Sequence, residues 1–167
     1  VSVHKSAFKG ILFSSLCFLI MLPACWWSDG GNKLEKLRGL VVINVLDRTL
    51  HNDCHIKGSI NVSLEDLERY AQSRIDKDAD IVFYCSNYMC SSSGFARKRL
   101  AQIGFKNLSV YEGGTAEWYQ LGYPVVGPAE SSYLKKKMRA PDEKEPYVLT
   151  AQELKKKIDE YEKRALK

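Results

Sequence analysis

The sequence predicts an α/β domain organised around a mostly parallel sheet, and three observations carry that prediction. Residues 40–46 read LVVINVL, 81–84 read IVFY and 108–111 read LSVY; strands covered on both faces need short, nearly continuous apolar runs of this kind. Segments with apolar residues at helical spacing stand between the runs. That alternation is the pattern of parallel strands joined by crossover helices.

The elements follow in order. After a Gly/Ser/Asp-rich spacer, Leu34, Glu35, Lys36 and Leu37 are expected to open a short helix ahead of the strand at 40–46. A polar stretch leads to a second short apolar segment at 59–62. Ser63, with the acid Asp66 three residues on, reads as a helix start, and Leu64, Leu67, Tyr70 and Ala71 follow at helical spacing. The run at 81–84 ends at Cys85 and a polar loop, with a new helix beginning near Ser92 or Ser93. Phe95, Ala96, Leu100 and Ile103 are expected to form its buried face, Arg97, Lys98 and Arg99 to point outward, and Gly104 to end it. Residues 108–111 make another strand, and Gly113-Gly114 turns the chain into a segment holding Trp118. Composition changes after Gly127-Pro128. Thr150 to Glu153 reads as a capping box, and Leu154, Ile158, Tyr161 and Ala165 trace one apolar stripe of a terminal helix that docks on the domain or on a partner protein.

At 167 residues, with 45% hydrophobic and 27% charged residues, the chain has room for one domain plus appendages. The expected division is a signal peptide at 1–24, a spacer at 25–33, a domain at 34–128, and a charged linker with a C-terminal helix at 129–167. His4, Lys5 and Lys9 precede an uncharged apolar run of about 14 residues, short of the roughly 20 a spanning helix needs. The run ends in Leu22-Pro23-Ala24-Cys25, which resembles a bacterial lipobox with Cys25 as the lipidated residue. A cleaved signal peptide and an uncleaved anchor with Trp26 and Trp27 at the membrane interface are the alternatives. All three export the domain, as a lipoprotein on the periplasmic face of a bacterial membrane or as a periplasmic protein.

Setting aside Cys17 and Cys25 leaves Cys54, Cys85 and Cys90, an odd number that implies a free or exchanging thiol outside the cytoplasm. No Cys/His spacing suits zinc, so no metal is expected. The net charge of +5 does not point to nucleic acid: residues 132–167 carry eleven Lys/Arg against seven Asp/Glu, most of the excess, in runs that read as solvated helix faces.

A Cys at the carboxyl end of a central strand, just before a helix, sits where open α/β sheets present reactive groups. Backbone N–H groups and the helix dipole there favour a thiolate, so a lowered pKa is expected for Cys85. Cys90, five residues on, is either a resolving thiol or a small packed residue. Cys54 is expected to be structural. His55 is expected to make structural hydrogen bonds rather than act as a general base, and Trp118 to wall the core or a pocket.

Several segments resemble the rhodanese-like family across residues 34–127. Val42-Ile43-Asn44-Val45 is similar to its first core strand, and His55-Ile56-Lys57-Gly58-Ser59-Ile60-Asn61 to its HIPGAIN-type segment. Residues 81–85 match the strand bearing its active Cys, and residues 104–108 the link after its helix. Tyr111-Glu112-Gly113-Gly114 with Trp118, and Gly122-Tyr123-Pro124-Val125, match its closing signature. The resemblance implies a central, mostly parallel five-stranded sheet with helices on both faces, and no cofactor. It implies a sulfurtransferase in which Cys85 takes a sulfane sulfur from a small donor as a persulfide and passes it to a thiol or cyanide. The loop reads Cys85-Ser86-Asn87-Tyr88-Met89-Cys90-Ser91, without the Arg or Lys that many members use for an anionic donor. Asn44 and Leu46 stand in place of the family's Asp and Arg. Two other readings are a noncatalytic module that binds a partner and a redox protein cycling Cys85 and Cys90. Cys-based phosphatases and arsenate reductases are excluded because their loop needs an Arg.

Overall fold

The β-branched and aromatic run LVVIN forms β1 (Leu40–Asn44) and DIVFY forms β4 (Asp80–Tyr84); both are buried from their second residue on. A computed structural model describes residues 35–167. The remaining elements in chain order are α1 (Arg48–Asp53), β2 (His55–Ile56), β3 (Ile60–Asn61), α2 (Leu67–Arg74), α3 (Ser92–Gln102), β5 (Leu108–Tyr111), α4 (Gly114–Gln120), β6 (Val125–Val126), a 3-10 turn (Ser132–Lys135) and α5 (Ala151–Ala165).

The main sheet has the order β3-β1-β4-β5, parallel throughout. It has four strands, where five were expected. The short segments β2 and β6 instead pair antiparallel as a separate ribbon, and the β5 edge is extended only by a single parallel bridge from Val110 to Val148. Alternating side chains feed two cores. Val41, Ile43, Ile81 and Phe83 pack with Leu67 and Ala71 of α2 and Ala96 and Leu100 of α3. Val42, Val82, Tyr84 and Tyr111 pack on the other face with Trp118 of α4 and Ala151 and Leu154 of α5. Helices thus cover both faces, as expected.

Three local expectations give way to tertiary pairing. Leu37 is not helical: its N–H donates to the Arg74 carbonyl at 2.7 Å, and it bridges to Ile75. Ser63 accepts the Asp66 N–H at 3.2 Å, but this closes a turn one step before α2 rather than capping it. On α3 the buried face is Ser93, Ala96 and Leu100, with Ile103 beside it; Phe95 faces outward, 55% exposed.

The chain beyond residue 128 is part of the same compact unit as the sheet. Leu134, Val148, Ala151 and Leu154 are all buried, Lys157 Nζ pairs with Asp80 at 2.5 Å, and the Tyr161 hydroxyl donates to the Arg38 carbonyl at 3.2 Å. The capping box at Thr150 and Glu153 starts α5. The expected signal peptide, spacer and lipidation at Cys25 fall outside the described residues. Among the described residues, no helix is long and apolar enough to cross a membrane.

Candidate functional site

Cys85 directly follows β4, the strand between β1 and β5, and the chain turns there because Gly114 lets α4 press against it. Gly114 has φ +62, and a Cβ on it would lie 2.5 Å from the Cys85 carbonyl and 2.6 Å from the Ser86 carbonyl carbon. Thr115 N–H donates to the Cys85 carbonyl at 3.0 Å and Ala116 N–H to that of Ser86 at 2.9 Å. Two main-chain acceptors are thereby tied down at the start of the loop. Asn87 organises the next residues: its side-chain oxygen accepts the Met89 N–H at 3.0 Å and its carbonyl accepts the Cys90 N–H at 3.0 Å.

The loop delivers Cys85 and Cys90 to the first turn of α3. Ser91 sits at the N-cap without a side-chain cap bond, so the free N–H groups of that turn are left for the sulfurs. Ser92 N–H, the Ser92 hydroxyl and Ser86 N–H serve Cys90; Ser93 N–H and its hydroxyl, 3.7 Å away, serve Cys85. Cys85 is fully buried, and its S–H donates to the Cys90 carbonyl at 3.1 Å.

The consequence for charge is opposite to the one expected at Cys85. Its thiol is pushed well above the usual range, first by hydrogen bonding with Cys90 and then by burial. Cys90 is pulled down to about 4, first by the neighbouring Cys85 side chain and then by the Ser92 and Ser86 groups, against its desolvation. The two thiols titrate as a coupled pair in which Cys90 is the more acidic.

Cys90, half-buried, opens onto a pocket of about 330 Å³. Its walls include Lys98 from α3, Glu112 after β5, and Pro141 and Tyr147 from the C-terminal stretch. The guanidinium of Arg97 lies 3.7 Å over the Tyr147 ring and fixes that wall. The loop has no cation of its own, but Lys98, exposed as expected, stands at the edge of the pocket and supplies one beside it. The sequence carries a signal for this: Ser91, Gly94, Phe95 and Lys98 all line the pocket, and their spacing is that of one helix face. On the other flank, Tyr88 donates to one Glu117 oxygen at 2.9 Å and Tyr111 to the other at 2.8 Å. Burial and this carboxylate push both phenols up.

Other candidates stand apart from this chemistry. Cys54 is buried, and burial pushes its thiol up to about 11. His55 Nδ1 lies 2.8 Å from the His51 carbonyl and the two rings stack at 3.8 Å, which fits the structural role expected for His55. His51, passed over in the sequence, is lowered by burial and then by His55. Trp118 is core, donating to the Pro124 carbonyl at 3.0 Å. Asn44 is buried, and its side-chain oxygen accepts the Leu46 N–H at 3.0 Å. A cavity of about 440 Å³ lies along α2 between Arg48, Arg69 and Arg74, and none of its walls is a thiol. Among the described residues, no cluster of His, Cys, Asp or Glu is placed to hold a metal ion.

Comparison with known proteins matches residues 31–121 to the rhodanese-like domain family. Thiosulfate sulfurtransferase GlpE of Coxiella burnetii is 28% identical over 86 residues, which are 52% of this chain and 78% of that protein. The rhodanese-like domain of the Alr3790 protein from Anabaena sp. superposes with a TM-score of 0.50 at 31% identity, over 63% of this chain and 76% of that one. The BH2092 protein of Bacillus halodurans gives a TM-score of 0.51 at 26% identity, over 55% of this chain and 66% of its own.

Proposed function

The chain belongs to the rhodanese-like domain family, and on that premise we propose that it is a sulfurtransferase carrying sulfane sulfur on Cys85 to a thiol or cyanide acceptor. The observation that carries the reading is the position of Cys85, directly after β4 and ahead of the first turn of α3, in a chain matched to this family over residues 31–121. The similarity to thiosulfate sulfurtransferase GlpE supports the same class of reaction.

The steps balance without a cofactor. In its thiolate form Cys85 attacks the outer sulfur of a persulfide donor R–S–SH. The donor S–S bond breaks, the leaving RS⁻ takes the proton of the outer sulfur and departs as R–SH, and Cys85 holds a persulfide anion. An acceptor thiol passes its proton to the terminal sulfur and attacks it as the thiolate; the S–S bond to Cys85 breaks, the acceptor leaves as its persulfide and the Cys85 thiolate returns, or hydrogen cyanide leaves as thiocyanate and a proton. The Ser93 N–H and the dipole of α3 stabilise the persulfide anion. The export signal at 1–24 and lipidation at Cys25 extend the proposal to a site of action outside the cytoplasm.

A second reading has support from the same geometry: Cys85 and Cys90 adjoin each other and are both free thiols, as dithiol–disulfide cycling requires. Mass spectrometry after exposure to a persulfide donor separates the two. Addition of one sulfur atom at Cys85, absent in Cys85→Ser, is expected. Loss of two hydrogens linking Cys85 to Cys90, with no sulfur gained, would replace transfer by redox cycling.

A further inference from the structure

The pocket over Cys90 is closed by residues that the family match does not reach. That match ends at residue 121, whereas Pro141 and Tyr147 wall the pocket. Tyr147 is held there by its stack with Arg97 and by its carbonyl, which accepts the Val110 N–H at 2.9 Å. The C-terminal stretch thus does more than bury Leu154. It turns an open loop into a lined site.

Two charges of opposite sign face this space. Lys98 comes from α3 and Glu112 from the turn after β5. Other half-exposed charges of the domain are paired, such as Arg99 with Glu68, Lys155 with Asp159 and Lys157 with Asp80. Among the described residues neither Lys98 nor Glu112 makes an ion pair, with each other or with any other group. An inorganic anion would use the lysine and be repelled by the glutamate. A ligand bearing both a carboxylate and an ammonium would use both.

Size points the same way. At about 30 Å³ per water-sized group, a volume of about 330 Å³ holds a ligand of amino-acid dimensions, well beyond a small oxyanion. The exposed ring of Phe95 and that of Tyr147 give an apolar surface for its methylene and sulfur.

We propose that the C-terminal stretch completes a binding site for a zwitterionic α-amino thiol or its persulfide, with Lys98 taking the carboxylate, Glu112 the ammonium, and the sulfur placed at Cys90, the pocket residue that adjoins Cys85. This names a donor or acceptor class for the sulfurtransferase reading and rests on that reading for its purpose. The site itself is independent of any sulfur being transferred.

The test therefore uses unreactive probes, S-methyl-L-cysteine and S-methylglutathione, titrated into the full chain by calorimetry. Saturable binding of one or both is expected, and the tighter probe identifies the source of the amino-acid group. Lys98→Met and Glu112→Gln should each weaken it about tenfold, and Tyr147→Ala about fivefold, with melting curves of the first two unchanged. N-acetylation of the probe should remove the effect of Glu112→Gln while leaving that of Lys98→Met. Absence of saturable binding by either probe, or binding indifferent to both charge variants, overturns the site. Binding that follows the expected pattern in a chain that never loads sulfur on Cys85 overturns the proposed function and leaves the site standing.

Discussion

A thiolate needs hydrogen-bond donors, and the uncapped first turn of α3 has donors to spare. Ser91 makes no side-chain cap, so the N–H groups of Ser92 and Ser93 are spent on sulfur. Their division decides which cysteine is charged: Cys90 has the Ser92 and Ser86 donors, and Cys85 directs its proton toward the Cys90 group. Exposure follows the same division, since Cys90 lines the pocket and Cys85 is sealed beneath it. Alkylation should thus find Cys90 first. With its pKa at about 4, the thiolate is present at every pH above that value and is protonated below it. The iodoacetamide rate at Cys90 is expected to be flat from neutral pH down to about 5 and to fall by half near 4, followed by peptide mass spectrometry. A midpoint near 8.5 would show an ordinary thiol. In Cys90→Ser the strongest influence raising Cys85 is gone, so Cys85 should become the alkylated residue, with burial still holding its rate well below that of Cys90 in the parent chain.

At the scale of elements, the site depends on α4 as much as on the strand and helix that bear its thiols. Gly114 has a positive φ, and there is no space for a Cβ between it and the Cys85 and Ser86 backbone. Gly114→Ala is expected to cost at least about 2 kcal/mol in urea unfolding and to loosen the loop, so that Cys85 alkylates at least tenfold faster. Unchanged stability and reactivity would mean that α4 does not set the loop. The legibility of the sequence follows the same distinction between local and distant causes. β1, β4, β5, α3 and α5 could be read because each is specified by its own apolar period or cap. The six-residue α1 was missed because it buries none of its residues and so leaves no periodic trace. β2 and β6 are two residues each and exist only through each other. Position 85 was legible from strand, loop and helix signals in order. The charge on Cys90 was not, because it depends on which way the loop turns two sulfurs five residues apart.

For the whole molecule, the C-terminal stretch belongs to the domain energetically as well as sterically. The core on one face of the sheet is built jointly from Val42, Val82, Tyr84, Trp118, Ala151 and Leu154, so α5 covers strand residues that would otherwise face water. The composition change at Gly127-Pro128 suggested a domain edge that the fold does not have; the return of the chain was not legible, because Leu134 and Val148 stand in apolar runs of only two and three residues, 133–134 and 147–149, within charged sequence, too short for a period to mark them as buried. If this stretch were an appendage, truncating a side chain in α5 would leave the unfolding of the sheet untouched. Leu154 is fully buried, and Leu154→Ala should cost about 2–5 kcal/mol by loss of burial and creation of a cavity. The loss should appear in a single urea transition, with Trp118 fluorescence and far-UV circular dichroism shifting together, because Trp118 and Leu154 share one core. Because the same stretch holds Tyr147 at the pocket, the variant should also bind S-methyl-L-cysteine more weakly than the parent chain. A helix signal that melts early while the Trp118 transition keeps the parent midpoint would show that α5 folds as a separate unit.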